Sequence, residues 1–216
     1  MKERGMIFNG EMVRAILDGR KTQTRRIMKV QPKPCNHTNW PDYSPESQWK
    51  SYPNGWCCAV CANGTTIDHR HHAKGITCPY GTVGDRIWVR ETFSPVPDHE
   101  EPAGCSALLY AADGNGPYGK WVPSIHMPRW ASRLTLEITG VRVERLNSIS
   151  QEDAQAEGME LTGWRPTYSD PDSGGEVWTP YDNFAQLWES IYGDESWRSN
   201  PWVWVIEFKR IEGGEA

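Results

Sequence analysis

Residues 19 to 26 form the most informative stretch of the chain: Gly19-Arg20-Lys21-Thr22-Gln23-Thr24-Arg25-Arg26. This stretch contains four cations and two threonines but no acid. Apolar residues recur at the spacing of one helix face in the segment just before it: Met12, Val13, Ile16 and Leu17. We therefore predict a helix that Asn9 caps and that Gly19 ends in a left-handed turn.

A cluster of cations at the exit of a helix allows three interpretations. It can hold a phosphate, or it can be a solvated basic face of a strand. It can also lower the pKa of Lys21, because neighbouring guanidinium groups and desolvation both disfavour the charged ammonium. A lysine that is neutral near pH 7 can act as a nucleophile or as a base.

A second feature is the segment that begins Ser150-Gln151-Glu152-Asp153. It predicts a short helix with Ser150 as its cap, acids in its first turn and Gly158 at its end. Glu157 then lies in the last turn, where the helix dipole disfavours a carboxylate unless a cation compensates. Glu157 is therefore a candidate general acid/base, a candidate partner of Lys21, or a solvated side chain at a frayed end.

Four motifs along the chain resemble those of the ASCH domain family, in the order that the family has them. They are Gly19-x-Lys21-x-x-Thr24-x-Arg26, Val83-Gly84-Asp85-Arg86-Ile87-Trp88-Val89, Ile149 to Gly158, and Trp204-Val205-Ile206-Glu207-Phe208-Lys209. Two further motifs resemble ASCH proteins of phages and prophages: Cys78-Pro79-Tyr80-Gly81 and Ser124-Ile125-His126-Met127-Pro128-Arg129-Trp130.

The resemblance implies an α+β fold, namely a PUA-like closed β-barrel with flanking helices in a single ASCH domain over residues 1–216. Strands near 85–93, 133–146 and 202–211 should share its core. Long loop insertions are expected at three places: a Cys/His-rich one at 31–77, and two others at 94–123 and 160–180. Gly140 interrupts the alternation of the middle strand, which indicates a β-bulge or a tight turn there.

The resemblance also implies a function. Some small members of the family resemble amidohydrolases that remove an acyl group from N4-acetylcytidine with a lysine, a threonine and a glutamate. Those roles fall on Lys21, Thr24 and Glu157. Because Lys21 and Thr24 would point to opposite faces of a regular strand, the set needs a turn or bulge between them. We expect alanine at 21 or at 157 to abolish activity and to leave the fold intact.

The candidate substrate-binding residues are cations and aromatic residues: Arg20, Arg25, Arg26, Trp88, Arg90, His126 and Arg129. Two other functions use some of the same residues. In a non-catalytic RNA-binding module of phage or prophage origin, the arginines would contact phosphates while Trp88 or Trp130 stacks a base. In a ribonuclease, His126 and Lys21 would be the acid and the base. The expected partner is thus a modified nucleoside or RNA.

The Cys/His-rich insertion suggests a structural zinc. Cys58-x-x-Cys61 has the spacing with which two thiolates bind one tetrahedral metal from a tight turn. Cys35 and His37 would complete the site, with Cys78 as an alternative ligand. Unligated thiols in a mobile loop are the other interpretation. No organic cofactor is expected.

Charge and hydropathy exclude some classes of protein. The net charge is −5, so binding of nucleic acid through bulk positive charge is excluded and any such contact needs a local basic patch. No apolar run approaches the roughly 18 residues of a membrane span, and no apolar segment follows Met1-Lys2-Glu3-Arg4-Gly5 as in a signal peptide. We therefore expect a cytoplasmic protein that contacts no membrane.

Overall fold

The computed structural model describes residues 1–31, 49–52, 55–58, 76–96, 108–117, 119–159 and 179–211. The strands are β1 (Glu3–Ile7), β2 (Gln23–Ile27), β3 (Trp49–Tyr52), β4 (Gly55–Cys58), β5 (Arg86–Arg90), β6 (Phe93–Pro95), β7 (Leu108–Tyr110), β8 (Thr135–Arg145) and β9 (Trp202–Ile211). The helices are α1 (Gly10–Leu17), α2 (Gln151–Ala156), α3 (Pro180–Tyr192) and α4 (Glu195–Arg198).

A five-stranded sheet organises these elements in the order β1-β5-β8-β9-β2. β1 pairs with β5 in parallel, and the other neighbours are antiparallel. β3 and β4 pair with each other, as do β6 and β7. The architecture is therefore mixed α+β, as predicted, and β2 is an edge strand that pairs with β9, while β8 is the central strand.

The two faces of β9 pack into different cores. Trp202, Trp204, Ile206 and Phe208 belong to the larger core, which also contains apolar residues of α1. Val203 and Val205 belong to the smaller core, which contains Phe184 and Trp188 of α3. Because paired strands share their faces, β2 likewise has one side toward each core. The beginning of β2 therefore lies where α1, α2 and the sheet meet.

Arg26 connects the two edges of the sheet. Its guanidinium donates a 2.7 Å hydrogen bond to the carbonyl of Ile7 at the end of β1 and lies 5.4 Å from the ring centroid of Phe8. In the part of the chain that the structure describes, no backbone ladder joins β1 to β2. The sheet is therefore curved enough for the Arg26 side chain on one edge strand to contact the other edge strand. The closed barrel stays a prediction.

Several sequence predictions are confirmed at the level of the elements. Asn9 caps α1, with its side chain accepting from the amide of Met12, and Gly19 follows the helix with φ +75°. The ladder of β8 and β9 shifts register between Ile138 and Gly140, so the irregularity at Gly140 is a β-bulge. A Cβ at Gly140 would collide with the carboxylate of Glu207, so that side chain would have to move if a larger residue stood there.

The predicted insertions contain some regular structure. The ladder of β3 with β4 lies within 31–77, and β6 with β7 lies largely within 94–123. Most of 160–180 falls outside the described residues. Within the described ranges, none of the helices combines the length and the apolar character that crossing a membrane requires.

Candidate active site

Lys21 and Glu157 form a buried ion pair. The Lys21 ammonium nitrogen, Nζ, lies 2.7 Å from Glu157 Oε2 and also donates a 2.9 Å hydrogen bond to the Glu157 carbonyl. The side chain of Lys21 has no exposed surface, and that of Glu157 is 3% exposed. The structure therefore brings together two of the three predicted catalytic residues, although 136 positions separate them in the chain.

Backbone hydrogen bonds fix this pair in place. The Lys21 amide donates to the carbonyl of Ala15 in α1 at 2.9 Å, and the Thr22 amide donates to Ala156 in α2 at 2.8 Å. Ser150 caps α2, as predicted, by accepting from the amide of Asp153. The segment after α1 is thus bonded to both helices, and Lys21 forms an isolated bridge with Glu157.

Gly158 permits the close approach of these segments. Its φ of +98° lies in the region that favours glycine. A Cβ at this position would lie 3.0 Å from the Cβ of Ala15 and 3.3 Å from that of Lys21. Any larger residue would therefore push α2 away from α1 and from Lys21.

Arg25 is the second cation on Glu157. Its guanidinium lies 3.2 Å from Glu157 Oε1, so each oxygen of that carboxylate faces its own cation. The same guanidinium lies 2.7 Å from Asp153 and 3.3 Å from Glu144, and its side chain has no exposed surface. Arg142 extends the network with ion pairs to Asp153, Glu144 and Glu207.

Burial lowers the pKa of the Lys21 ammonium below its ordinary value of 10.5. The carboxylate of Glu157 opposes this effect through its charge and its hydrogen bond, while Arg26 and Arg25 add to it. The prediction of a lysine with a lowered pKa is therefore supported, but its largest cause is desolvation rather than the neighbouring arginines. A proton can leave Lys21 more easily because Arg25 remains as the counterion of Glu157.

A cavity of about 180 Å³ adjoins the pair. It is lined by Asn9, Glu11, Met12, Arg14, Ala15, Arg20, Glu157, Gly158, Met159 and Leu187. Glu157 lines this cavity and Lys21 does not. Glu157 is therefore the member of the pair nearer to a molecule in the cavity, although its side chain is only 3% exposed.

Of the predicted substrate-binding residues, Arg20 is on the lining. It donates a 3.0 Å hydrogen bond to the Gly158 carbonyl and pairs with Asp18 at 3.0 Å. Arg25 lies behind Glu157 among carboxylates, and Arg26 is bonded to Ile7 between the sheet edges. Both therefore help to build the site and are outside the lining of the cavity.

The other four predicted substrate-binding residues form a second group around β5. Arg90 lies 5.4 Å from the ring centroid of Trp88 and donates hydrogen bonds to the carbonyls of Ser124 and Ile125. His126 is exposed in the 3-10 segment Ser124–His126, and Arg129 pairs with Glu3 at 3.1 Å. None of these four residues lines the cavity beside Glu157.

Thr24 is buried but lies apart from the ion pair. Gln23 and Arg25 contact Asp153 on one face of β2, and alternation turns Thr24 to the opposite face, where its register partner is Ile206. Among the described residues, its hydroxyl makes no hydrogen bond to Lys21 or Glu157. Lys21 and Thr22 precede β2, and the course of the chain there brings Lys21 to Glu157 but leaves the Thr24 side chain on the other face of the strand.

The predicted zinc ligands Cys35, His37 and Cys61 lie outside the described residues. Cys58 ends β4, where only the backbone is described. Cys78 is a free thiol that packs against the larger core, and burial raises its pKa. No group of three potential ligands occurs in the described part of the chain, so the zinc site stays a prediction.

Sequence reasoning missed Asp153 as a partner of Arg25 and Arg14 as part of the lining. A signal for Asp153 was present, because it lies four residues before Glu157 and therefore on the same helix face. Arg14 lies on the polar face of α1, and nothing local distinguishes it from a solvated arginine. Its cavity is formed by Met159 and Leu187, which are distant in the chain.

Comparison of the chain with family models, with curated proteins and with solved structures found no match. The resemblance to the ASCH family therefore rests on the sequence motifs alone.

Proposed function

We propose that the protein is an amidohydrolase that removes the acyl group from N4-acetylcytidine-like nucleosides, with Lys21 and Glu157 as its catalytic pair. One observation carries the proposal: the 2.7 Å contact between Lys21 and Glu157 at the wall of a cavity. Buried ionisable pairs that border a cavity are typical of active sites. The motif resemblance supplies the substrate class.

The geometry supports a division of roles within the pair. Glu157 is the member of the pair on the cavity lining, and in the proposed mechanism its carboxylate takes a proton from an attacking water. Lys21, when neutral, can accept that proton from Glu157 through the hydrogen bond that joins them. The pair can then return the proton to the departing cytosine nitrogen, which completes hydrolysis to an acid and an amine.

Arg25 makes this proton path possible. Its guanidinium bonds one oxygen of the Glu157 carboxylate while Lys21 bonds the other, so this bond does not depend on the proton of Lys21. The carboxylate therefore keeps a counterion in both states. Arg20 on the lining supplies positive charge for the oxyanion that develops at the acyl carbon.

Turnover of a panel of N4-acylated cytosine nucleosides tests the proposal, with acetate release as the measurement. We expect hydrolysis by the wild type and a loss of at least about 100-fold in Lys21→Arg and in Glu157→Gln. Lys21→Arg is informative because a guanidinium keeps the charge but does not deprotonate near neutral pH. Full activity in Lys21→Arg would mean that position 21 supplies charge alone.

A non-catalytic RNA-binding function is the second candidate, and the surface near β5 favours it. Trp130 is 73% exposed and Ile125, in the same segment, is 60% exposed, so an indole and an aliphatic side chain are both accessible to a ligand there. Arg129, beside Trp130, is a cation on the same segment. An exposed indole next to a guanidinium suits base stacking on single-stranded RNA.

Binding of a short single-stranded oligoribonucleotide separates the two candidates. The RNA-binding function predicts that Trp130→Ala weakens binding at least about fivefold, because one stacked base contributes roughly 1–3 kcal/mol. It also predicts no acetate release by the wild type. Hydrolysis that persists in Trp130→Ala would favour the amidohydrolase.

A further inference from the structure

Arg14 is a cation of the cavity that the proposed mechanism does not use. It lies on the exposed side of α1 and lines the cavity beside Glu157. Its guanidinium donates one hydrogen bond, at 3.0 Å, to the carbonyl of Ala112. Within the described ranges it forms no ion pair with a carboxylate. A guanidinium has five N–H donors, and among the described residues only this one hydrogen bond engages them, so donors remain for a further acceptor.

Among the described residues, no carboxylate near this cavity lies within ion-pair distance of Arg14. Glu157 is already compensated by Lys21 and Arg25. Glu11 is the other carboxylate on the lining, one helical turn before Arg14, and within the described ranges no ion pair joins the two. Arg20, by contrast, is engaged with Asp18 and Gly158. Arg14 is therefore the cation of the lining best placed to receive an anion from solvent.

The size of the cavity limits which part of a nucleoside it can enclose. Its volume of about 180 Å³ is below the ~300–1,000 Å³ of pockets that enclose whole drug-sized ligands. A base and its acyl group can enter, while the ribose and its substituents stay near the rim. Arg14 is both exposed and part of the lining, so its guanidinium can contact a group that stays outside the enclosed volume.

We infer that Arg14 binds a phosphate attached to the ribose of the substrate, so that the substrate is an acylated cytidine nucleotide rather than a free nucleoside. The substrate identity rests on the proposed function. The phosphate can come from a mononucleotide or from the backbone of RNA, since a guanidinium forms paired hydrogen bonds with either. Because the site is exposed, binding weakens as the salt concentration rises.

Calorimetric titration with the deacylated products tests the inference. The ligands are cytidine, cytidine 5′-monophosphate and a trinucleotide with a central cytidine, and the proteins are the wild type, Arg14→Gln and Arg198→Gln. Arg198 is a matched control because it is 78% exposed on α4 and pairs with Glu195 away from the cavity. Circular dichroism checks that each variant is folded.

We expect Arg14→Gln to weaken binding of at least one phosphate-bearing ligand about tenfold or more and binding of cytidine less than about twofold. Arg198→Gln should change neither. Which phosphate-bearing ligand responds identifies the source of the phosphate. Equal weakening for all three ligands, or binding of neither phosphate-bearing ligand by the wild type, would overturn the inference.

Turnover, measured separately with the acetylated forms, keeps the two proposals distinct. If Arg14→Gln weakens binding of a phosphate-bearing ligand but not of cytidine, and no acetate is released, the hydrolase proposal fails and the phosphate site stands. If acetate is released equally fast from nucleoside and nucleotide in the wild type and in Arg14→Gln, the hydrolase stands and the phosphate site fails.

Discussion

Because Lys21 is buried, substituting it should affect the stability of the protein as well as its activity. The sequence predicts that alanine at position 21 or 157 leaves the fold intact, because neither residue lies on an apolar face. Both residues are 2% exposed and paired with each other, so loss of either leaves a buried charge with fewer partners. Breaking a buried ion pair from one side costs roughly 3–5 kcal/mol. That expectation therefore needs correction: activity and stability should fall together.

We predict that Lys21→Met and Glu157→Gln each lower the free energy of unfolding by about 3–5 kcal/mol. The double variant should lose less free energy of unfolding than the two single variants lose together, because it removes both charges of the pair. Urea unfolding of all four proteins measures the coupling. The exposed pair of Arg198 and Glu195 is the control, and its removal should change stability by less than about 1 kcal/mol. Strict additivity at 21 and 157 would mean that the pair contributes nothing.

At the scale of the elements, local signals predicted α1, α2 and the strand regions that contain β5, β8 and β9, but not β1, β3 or β4. The Ser150 cap with Gly158 predicts α2, and Gly140 predicts the bulge in β8, because each depends on residues close in the chain. The partners of Arg25 lie 119 to 132 positions away, so no local pattern reveals them. The side to which Thr24 points depends likewise on the register of β2 with β9, which the motif alone does not define.

Gly158→Ala tests how α2 positions Glu157. Its new Cβ would meet both Ala15 and Lys21, and its φ would remain unfavourable for alanine. Gly19→Ala is the matched control, because Gly19 also has a positive φ but a Cβ added there would have no atom within 4 Å. We expect backbone strain to lower the free energy of unfolding of each variant by about 1 kcal/mol, and we expect a larger decrease for Gly158→Ala. Thermal unfolding measures both changes. Equal losses would show that the packing at Gly158 contributes little.

At the scale of the whole molecule, the site depends on a sheet that curls around one core. Arg26 bonds the end of β1 while Arg25, the next residue, holds Glu157 on the opposite face of β2. These two neighbouring arginines thus stabilise both the curvature of the sheet and the candidate active site. The sequence predicted the α+β class, but barrel closure depends on long-range contacts between edges that no motif specifies.

The insertion at 31–77 leads to a prediction about the whole chain. If Cys58 and Cys61 bind a structural zinc, protein purified without chelator should contain roughly one zinc per chain. Chelation should then lower the melting temperature, and Cys58→Ser with Cys61→Ser should lose the metal. Mass spectrometry measures the zinc content of the wild type and of the double variant. Metal-free protein with an unchanged melting temperature after chelation would exclude a structural zinc.

The pH dependence of acetate release from N4-acetylcytidine tests the central claim most directly. Burial lowers the pKa of Lys21 below 10.5, and the proposed path requires neutral Lys21. The rate measured between about pH 5 and 11 should therefore rise through the pKa of Lys21 and reach a plateau before the pH of an ordinary lysine. Glu157→Gln should abolish the rise. A wild type that releases no acetate, or releases it at a rate independent of pH, would contradict the account.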